Sequence, residues 1–316
     1  MRFRHAQVVA LCATLTPVAL DGARLFHVNV NCSDLERSRR FYVDGLGLAA
    51  GAHTTTGHTQ AGDAFGLDKA RWDAWILLGP QGFDGGAIDL LEWLEPRPTG
   101  AAPRALNERG FQRAGIRVPD LDAAIASLTR AGGAVWSRPV EHAAGERTIR
   151  IVMANDPDGV AIELVEGGGP ALSFVAVACA DLAASVQWYA TLGFTEVARF
   201  ASERADGAHL RIDGPVAMVE VVLSPPGSGD ELVILAGFDQ PPVRDASHRP
   251  ANALGLWRAA FLVPDLDGAY ARLRDAGIAT ISPPVAMAMG EGLPDLRFLC
   301  FRGPDGEVLE LIESPQ

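Results

Sequence analysis

The sequence predicts an α+β fold of four units, each a strand, a helix and three further strands (βαβββ). Three observations point to it. The segment from about Leu25 to Glu166 recurs from about Leu172 to Glu313; each copy divides again into an odd and an even unit; and strand alternation, helix caps and turn residues recur in the same order along the chain.

The odd units carry Asp34-Leu35, Phe41-Tyr42 and Leu46-Gly47-Leu48, matched by Asp181-Leu182, Trp188-Tyr189 and Leu192-Gly193-Phe194, and the tyrosine follows the aspartate by eight positions both times. The even units carry Val118-Pro119-Asp120-Leu121-Asp122, Ala131-Gly132 and Asp156-Pro157-Asp158-Gly159, leading into Glu163-Leu164. Their counterparts are Val263-Pro264-Asp265-Leu266-Asp267, Ala276-Gly277 and Gly303-Pro304-Asp305-Gly306, leading into Glu310-Leu311.

Residues 25–31 alternate as a half-buried strand does, and Ser33 with Glu36 reads as a capping box opening a helix through Leu35, Phe41 and Tyr42, which Gly45 and Gly47 let the chain leave. In the even unit Asp120 caps a helix whose buried stripe is Ala124, Ile125, Leu128 and Ala131, ended by Gly132-Gly133. The Asp-Pro-Asp-Gly turn then delivers residues 160–165 as a strand with Glu163 and Val165 on one face. The domain layout that follows is an extension at 1–23, a first domain at 24–166, a Gly-Gly-Gly-Pro linker at 167–170 and a second domain at 171–316.

With 316 residues, 48% of them hydrophobic, the chain can bury sizeable cores. A net charge of −12 would repel a phosphate backbone, so no nucleic-acid partner is expected. Cys12, Cys32, Cys179 and Cys300 stand singly, which suits buried reduced thiols rather than a zinc knuckle or a dithiol. Arg2 and Arg4 precede an apolar stretch, residues 6–20, that Pro17 and threonines interrupt and that is too short to span a bilayer. It has the charged-then-apolar order of a secretory signal without a small-x-small cleavage site. A strand-like extension on a cytoplasmic protein is the reading preferred, with export as its alternative.

These signatures resemble the vicinal oxygen chelate superfamily, which includes glyoxalase I, extradiol dioxygenases, methylmalonyl-CoA epimerase and the fosfomycin and bleomycin resistance proteins. The resemblance covers nearly everything after residue 24. It implies tandem glyoxalase-like domains whose units pair into two curved mixed-sheet clefts, with metal ligands on the first strand of each unit and at the Glu of the final strand. In the first half those positions resemble His27, Asp89, Arg113 and Glu163; in the second, Phe174, an apolar residue near Val233 or Ile234, Arg258 and Glu310. A guanidinium stays protonated and offers no lone pair, so the two arginines argue against a divalent ion in either cleft, and no metal or other cofactor is expected. Both arginines sit in one repeated frame, Asn107-x-x-Gly110-Phe111-Gln112-Arg113-Ala114 and Asn252-x-x-Gly255-Leu256-Trp257-Arg258-Ala259.

The arginines have two readings. They would pair with Glu163 and Glu310 across neighbouring strands, or would grip a substrate carboxylate or enolate. His27 with a carboxylate beside it suits proton transfer, so His27, Asp89 and Arg113 are the candidate catalytic residues, and Trp75, Trp93 and Glu163 the candidate substrate-binding residues. Trp72 and Trp75 are an odd number apart, so a regular strand turns at most one of them into the cleft. The indoles suggest an aromatic or conjugated ligand. His53, His58 and His142 are read as loop or surface residues.

Three function classes remain: a metal-independent isomerase, lyase or cyclase; a binding protein that sequesters a drug-like molecule; and a metal-dependent glyoxalase or dioxygenase relative using His27, Asp89 and Glu163. An extradiol dioxygenase is set aside, because the positions that hold iron in that family resemble Phe174, Arg258 and Glu310 here. A small-molecule partner, no membrane partner, and a monomer or homodimer complete the expectation.

Overall fold

A computed structural model of the chain describes residues 18–144, 147–227, 229–246 and 249–314. The signal-like stretch read at 6–20 lies almost wholly outside them. The first unit comprises β1 (Arg24–Asn31), α1 (Leu35–Arg40), β2 (Ala49–Thr55), β3 (Gln60–Ala61), β4 (Lys69–Leu78) and β5 (Ala87–Glu95). The second comprises β6 (Gly110–Val118), α2 (Leu121–Arg130), β7 (Ala134–Val135), β8 (Val140–Ala144), β9 (Arg147–Asn155) and β10 (Ala161–Glu166). In the third are β11 (Ala171–Cys179), α3 (Leu182–Thr191), β12 (Thr195–Asp206), β13 (Pro215–Ser224) and β14 (Leu232–Gln240). The fourth holds β15 (Gly255–Val263), α4 (Leu266–Asp275), β16 (Val285–Met287), β17 (Leu296–Arg302) and β18 (Val308–Glu313).

Each α-helix opens on an aspartate, Asp34, Asp120, Asp181 or Asp265, whose carboxylate accepts the backbone N–H three residues on. The capping box read at Ser33 and Glu36 is therefore corrected by one residue. Ser33 instead donates its hydroxyl to Asp158 at 2.6 Å, and Glu36 pairs with Arg39. A π turn over Phe41–Gly45 continues α1 and buries Phe41 and Tyr42 side by side.

Among the described residues the strands form two nine-stranded sheets. One runs β16-β17-β18-β15-β1-β5-β4-β2 with β3 on β4; the other runs β12-β13-β14-β11-β6-β10-β9-β7 with β8 on β9. β1 lies antiparallel to β15, with His27 opposite Ala260, and β6 lies antiparallel to β11, with Arg113 opposite Ala176. Unit one thus shares a sheet with unit four, and unit two with unit three. The reading that each copy encloses its own cleft is overturned: the linker at 167–170 joins β10 to β11, which flank β6 on either side, so the seam of the duplication falls within a sheet.

Units of the same copy meet instead on their helical sides. The Tyr42 hydroxyl donates to Asp156 at 3.2 Å, and Gly45 lies against Ala131 and Leu128. One apolar core, with Phe41, Leu128, Tyr189, Phe261 and Phe301 among its buried side chains, runs behind both sheets. In the other copy Tyr189 donates at 2.9 Å to Glu307, because Gly303 stands at the position of Asp156. A Cβ at Gly303 would lie 2.0 Å from Glu307 Oε1, so the absent side chain is what admits the glutamate. The same buried carboxylate is supplied from a position four residues later. Among the described residues no helix is long and apolar enough to cross a membrane.

Candidate functional site

The cleft of units one and four is organised by Arg258. Asp89 on β5 and Glu310 on β18 face it from opposite flanks, since β5 pairs in parallel with β1 and β18 with β15. Arg258 Nη2 donates to Asp89 Oδ2 at 2.6 Å and its Nε to Glu310 Oε2 at 2.7 Å. His27 Nε2 lies 3.4 Å from Glu310 Oε2 and 3.8 Å from Asp89 Oδ2. Asn29, two residues along β1, donates to Asp89 Oδ2 at 3.2 Å. All of these side chains are buried.

Burial alone would raise the Glu310 carboxyl, but Arg258 and then His27 hold it below the usual carboxylate range. Burial likewise opposes the charge on Arg258, and the two carboxylates more than offset it. One guanidinium against two carboxylates leaves one negative charge, which a proton on His27 would balance. Among the described residues, nothing accepts from or donates to His27 Nδ1, His27 Nε2 or Arg258 Nη1 at hydrogen-bonding geometry, and all three atoms are buried.

Aromatic rings close over this cluster. The short turn Asp63–Phe65 puts the Phe65 ring 5.5 Å from the Arg258 guanidinium, in contact with Trp72, Trp93, Trp257 and Phe298. Trp93 lines the cleft and donates its indole N–H to Asn31 at 3.0 Å. Trp75 does not, and that expectation is corrected. Strand parity turns Trp72 inward and Trp75 outward, where it stacks on His53 at 4.3 Å while His53 meets Asp73 at 2.5 Å. His58 is exposed, as read.

Arg113 and Glu163 occupy the other cleft, so the sequence-predicted grouping of His27, Asp89, Arg113 and Glu163 is divided between two sheets. There Arg113 donates from Nε to Glu163 at 2.6 Å and from Nη2 to Glu220 at 2.8 Å, and from Nη1 to the Gln112 side-chain carbonyl. Its guanidinium lies 5.4 Å over the Phe174 ring, which crosses β6 where Gly115 leaves room: a Cβ there would come within 2.1 Å of the ring. Burial opposes the Arg113 charge, and Glu163 and Glu220 raise its affinity for the proton above the ordinary value. Glu220 was missed in the sequence. Its signal was a lone carboxylate within the apolar run 216–223.

Neither cleft suits a divalent cation. In each, the place between the carboxylates is taken by a guanidinium at hydrogen-bonding distance from both, and among the described residues no three His, Cys, Asp or Glu side chains are set to hold a metal ion.

The model of the Glyoxalase/Bleomycin resistance protein/Dioxygenase superfamily matches residues 24–164 and again 171–311, and the chain belongs to this family. Glyoxalase I from Zea mays superposes with a TM-score of 0.61 at 15% identity, covering 92% of each chain. A putative dioxygenase from Bacillus subtilis superposes with a TM-score of 0.60 at 12% identity, covering 94% of this chain and 86% of that one. At such identities the likeness establishes the fold alone. No curated protein matches the sequence.

Proposed function

We propose that the chain is a metal-independent enzyme of the isomerase, lyase or cyclase type, acting on a small aromatic or conjugated molecule in the cleft of units one and four. The observation that carries this is a buried histidine whose Nε2 lies at ion-pair distance from two carboxylates, beside an Arg258 Nη1 that makes no hydrogen bond among the described residues. His27 moves the proton, Asp89 and Glu310 orient the ring and stabilise its charged form, and Nη1 of Arg258 donates to the oxygen on which negative charge develops. Arg258 takes the role that the sequence suggested for Arg113. Phe65, on the Asp63–Phe65 turn, packs against Trp72 and Trp93, the two indoles that would offer stacking faces to the ligand.

The test is solvent-deuterium wash-in to a panel of aryl ketones and aryl β-dicarbonyl compounds, followed by NMR on chelator-treated protein. Exchange that survives chelation and disappears in His27→Gln supports the reading. Exchange that needs an added divalent ion, or that His27→Gln retains, defeats it. The richly aromatic walls favour one alternative, sequestration without chemistry; stoichiometric binding of the same compounds with no exchange would establish it.

A further inference from the structure

Beyond the two clefts, a cavity of about 290 Å³ opens where the loop segments preceding β6 and β15 meet the turn at 303–306. Its charged lining is three arginines, Arg109, Arg249 and Arg302, against two acids, Asp305 and Glu307, and its apolar floor is Phe111, Leu256 and Trp257. We propose that this cavity is a second binding site, for a small aromatic carboxylate, independent of the function proposed for His27.

The charge balance carries the argument. Arg109 is answered within the protein: its Nε meets Asp305 at 3.2 Å, and its Nη1 lies 3.7 Å from the exposed Asp245. Asp305 is fully engaged, accepting also from the Ala180 N–H at 2.8 Å and the Ser185 hydroxyl at 2.6 Å. The other acid on the wall, Glu307, is pushed by burial up to about 8, so it is largely neutral at pH 7. Arg249 and Arg302 have no such answer. Arg249 Nη2 reaches only the carbonyls of Ala101 and Leu254, Arg302 Nη1 reaches only that of Gly306 at 3.2 Å, and neither has a carboxylate at ion-pair distance among the described residues.

Burial presses both guanidiniums below their ordinary proton affinity, and at Arg249 the more distant Glu108 opposes this only in part. A carboxylate restores the balance and suits the guanidinium fork, while the floor of rings and leucine suits a flat apolar body. The volume lies near the lower end of the range for small-molecule sites, which fits a one- or two-ring ligand.

The experiment is calorimetric titration of the whole chain with 2-naphthoate, with 2-naphthamide and inorganic phosphate as comparison probes. Saturable one-to-one binding of naphthoate is expected, weakened about tenfold or more by Arg302→Gln and by Arg249→Gln. Arg302→Lys, which keeps the charge without the fork, should bind more tightly than Arg302→Gln and less tightly than the unaltered chain; His27→Gln should retain full binding, and naphthamide should bind at least tenfold more weakly. Thermal melts confirm that each variant is folded, and either glutamine variant suffices if the other is not. Phosphate binding as tightly as naphthoate would make this an inorganic-anion site and overturn the proposal. So would an absence of naphthoate binding, binding indifferent to both glutamine variants, or binding lost in His27→Gln, which would place the ligand in the cleft.

Discussion

Arg258 Nη2 lies 2.6 Å from the Asp89 carboxylate across 169 positions of chain, tying the last unit to the first. Together with Glu310 and His27 it forms a centre in which a side-chain cation stands among three potential metal donors. Arg258→His should therefore create an imidazole and carboxylate set competent for a divalent ion. The variant is expected to bind one cobalt(II) per chain with a visible d–d absorption band, and the unaltered protein none. Glu310→Gln added to that variant should weaken binding. A variant that stays colourless would refute the idea that the guanidinium stands in a metal's place.

The two arginines should differ in what their loss costs. Arg258→Met strands two carboxylates whose side chains are only 4% and 3% exposed, and a loss of about 3–5 kcal/mol is expected. Arg113→Met leaves Glu163 and Glu220 at 12% and 24% exposure, where water partly solvates them, and should cost less by about 1–2 kcal/mol. Urea unfolding of both variants measures the difference. Equal losses would contradict the ranking of the two clefts by burial.

Stability should fall as the solution becomes more alkaline across the neutral range. Burial, with Asp158 adding to it, raises Asp156 to about 7; burial, with Asp305 adding to it, raises Glu307 to about 8. In the unfolded chain such carboxyls titrate near about 4. Between about pH 4 and those values the folded state holds protons that the unfolded state has released, so the contribution is complete below about 4 and lost as pH rises through 7 and 8. Each group adds a slope of at most about 1.4 kcal/mol per pH unit. Asp156→Asn and Glu307→Gln should each flatten the curve of unfolding free energy against pH between 5 and 8.

Gly303 and Glu307 should behave as one unit. Gly303→Asp alone drives a side chain into the Glu307 carboxylate, and Glu307→Val alone leaves the Tyr189 hydroxyl buried without its acceptor. The double variant Gly303→Asp/Glu307→Val reproduces the arrangement of Asp156 and Val160 beside Tyr42. A double-mutant cycle should return a favourable coupling of about 1–3 kcal/mol. Additive losses would show that the two tyrosine sites are not equivalent.

The repeats, the aspartate caps of the even units and the pairing of each frame arginine with the glutamate of its own unit were all legible in the sequence, because each depends on residues close together in a unit or on neighbouring strands. The inward turn of only one of Trp72 and Trp75 followed from strand parity. Which units would share a sheet was not legible. β1 carries the same alternation whether its neighbour is β6 or β15, and only the route of the chain over β6 selects the latter. That one choice moved Arg113 away from His27 and brought Arg258 to it. Glu220 escaped because it enters its cleft from β13, a strand outside the first-and-last-strand pattern.

Because each sheet draws on both copies, the chain has the form of a dimer made covalent. Contacts that two separate half-chains would have to find by collision are here intramolecular, so the cost of lost translational freedom is met by the peptide bonds of the seam and folding should not depend on protein concentration. The fusion also frees the two clefts from strict twofold equivalence, so one can keep a histidine where the other has a phenylalanine.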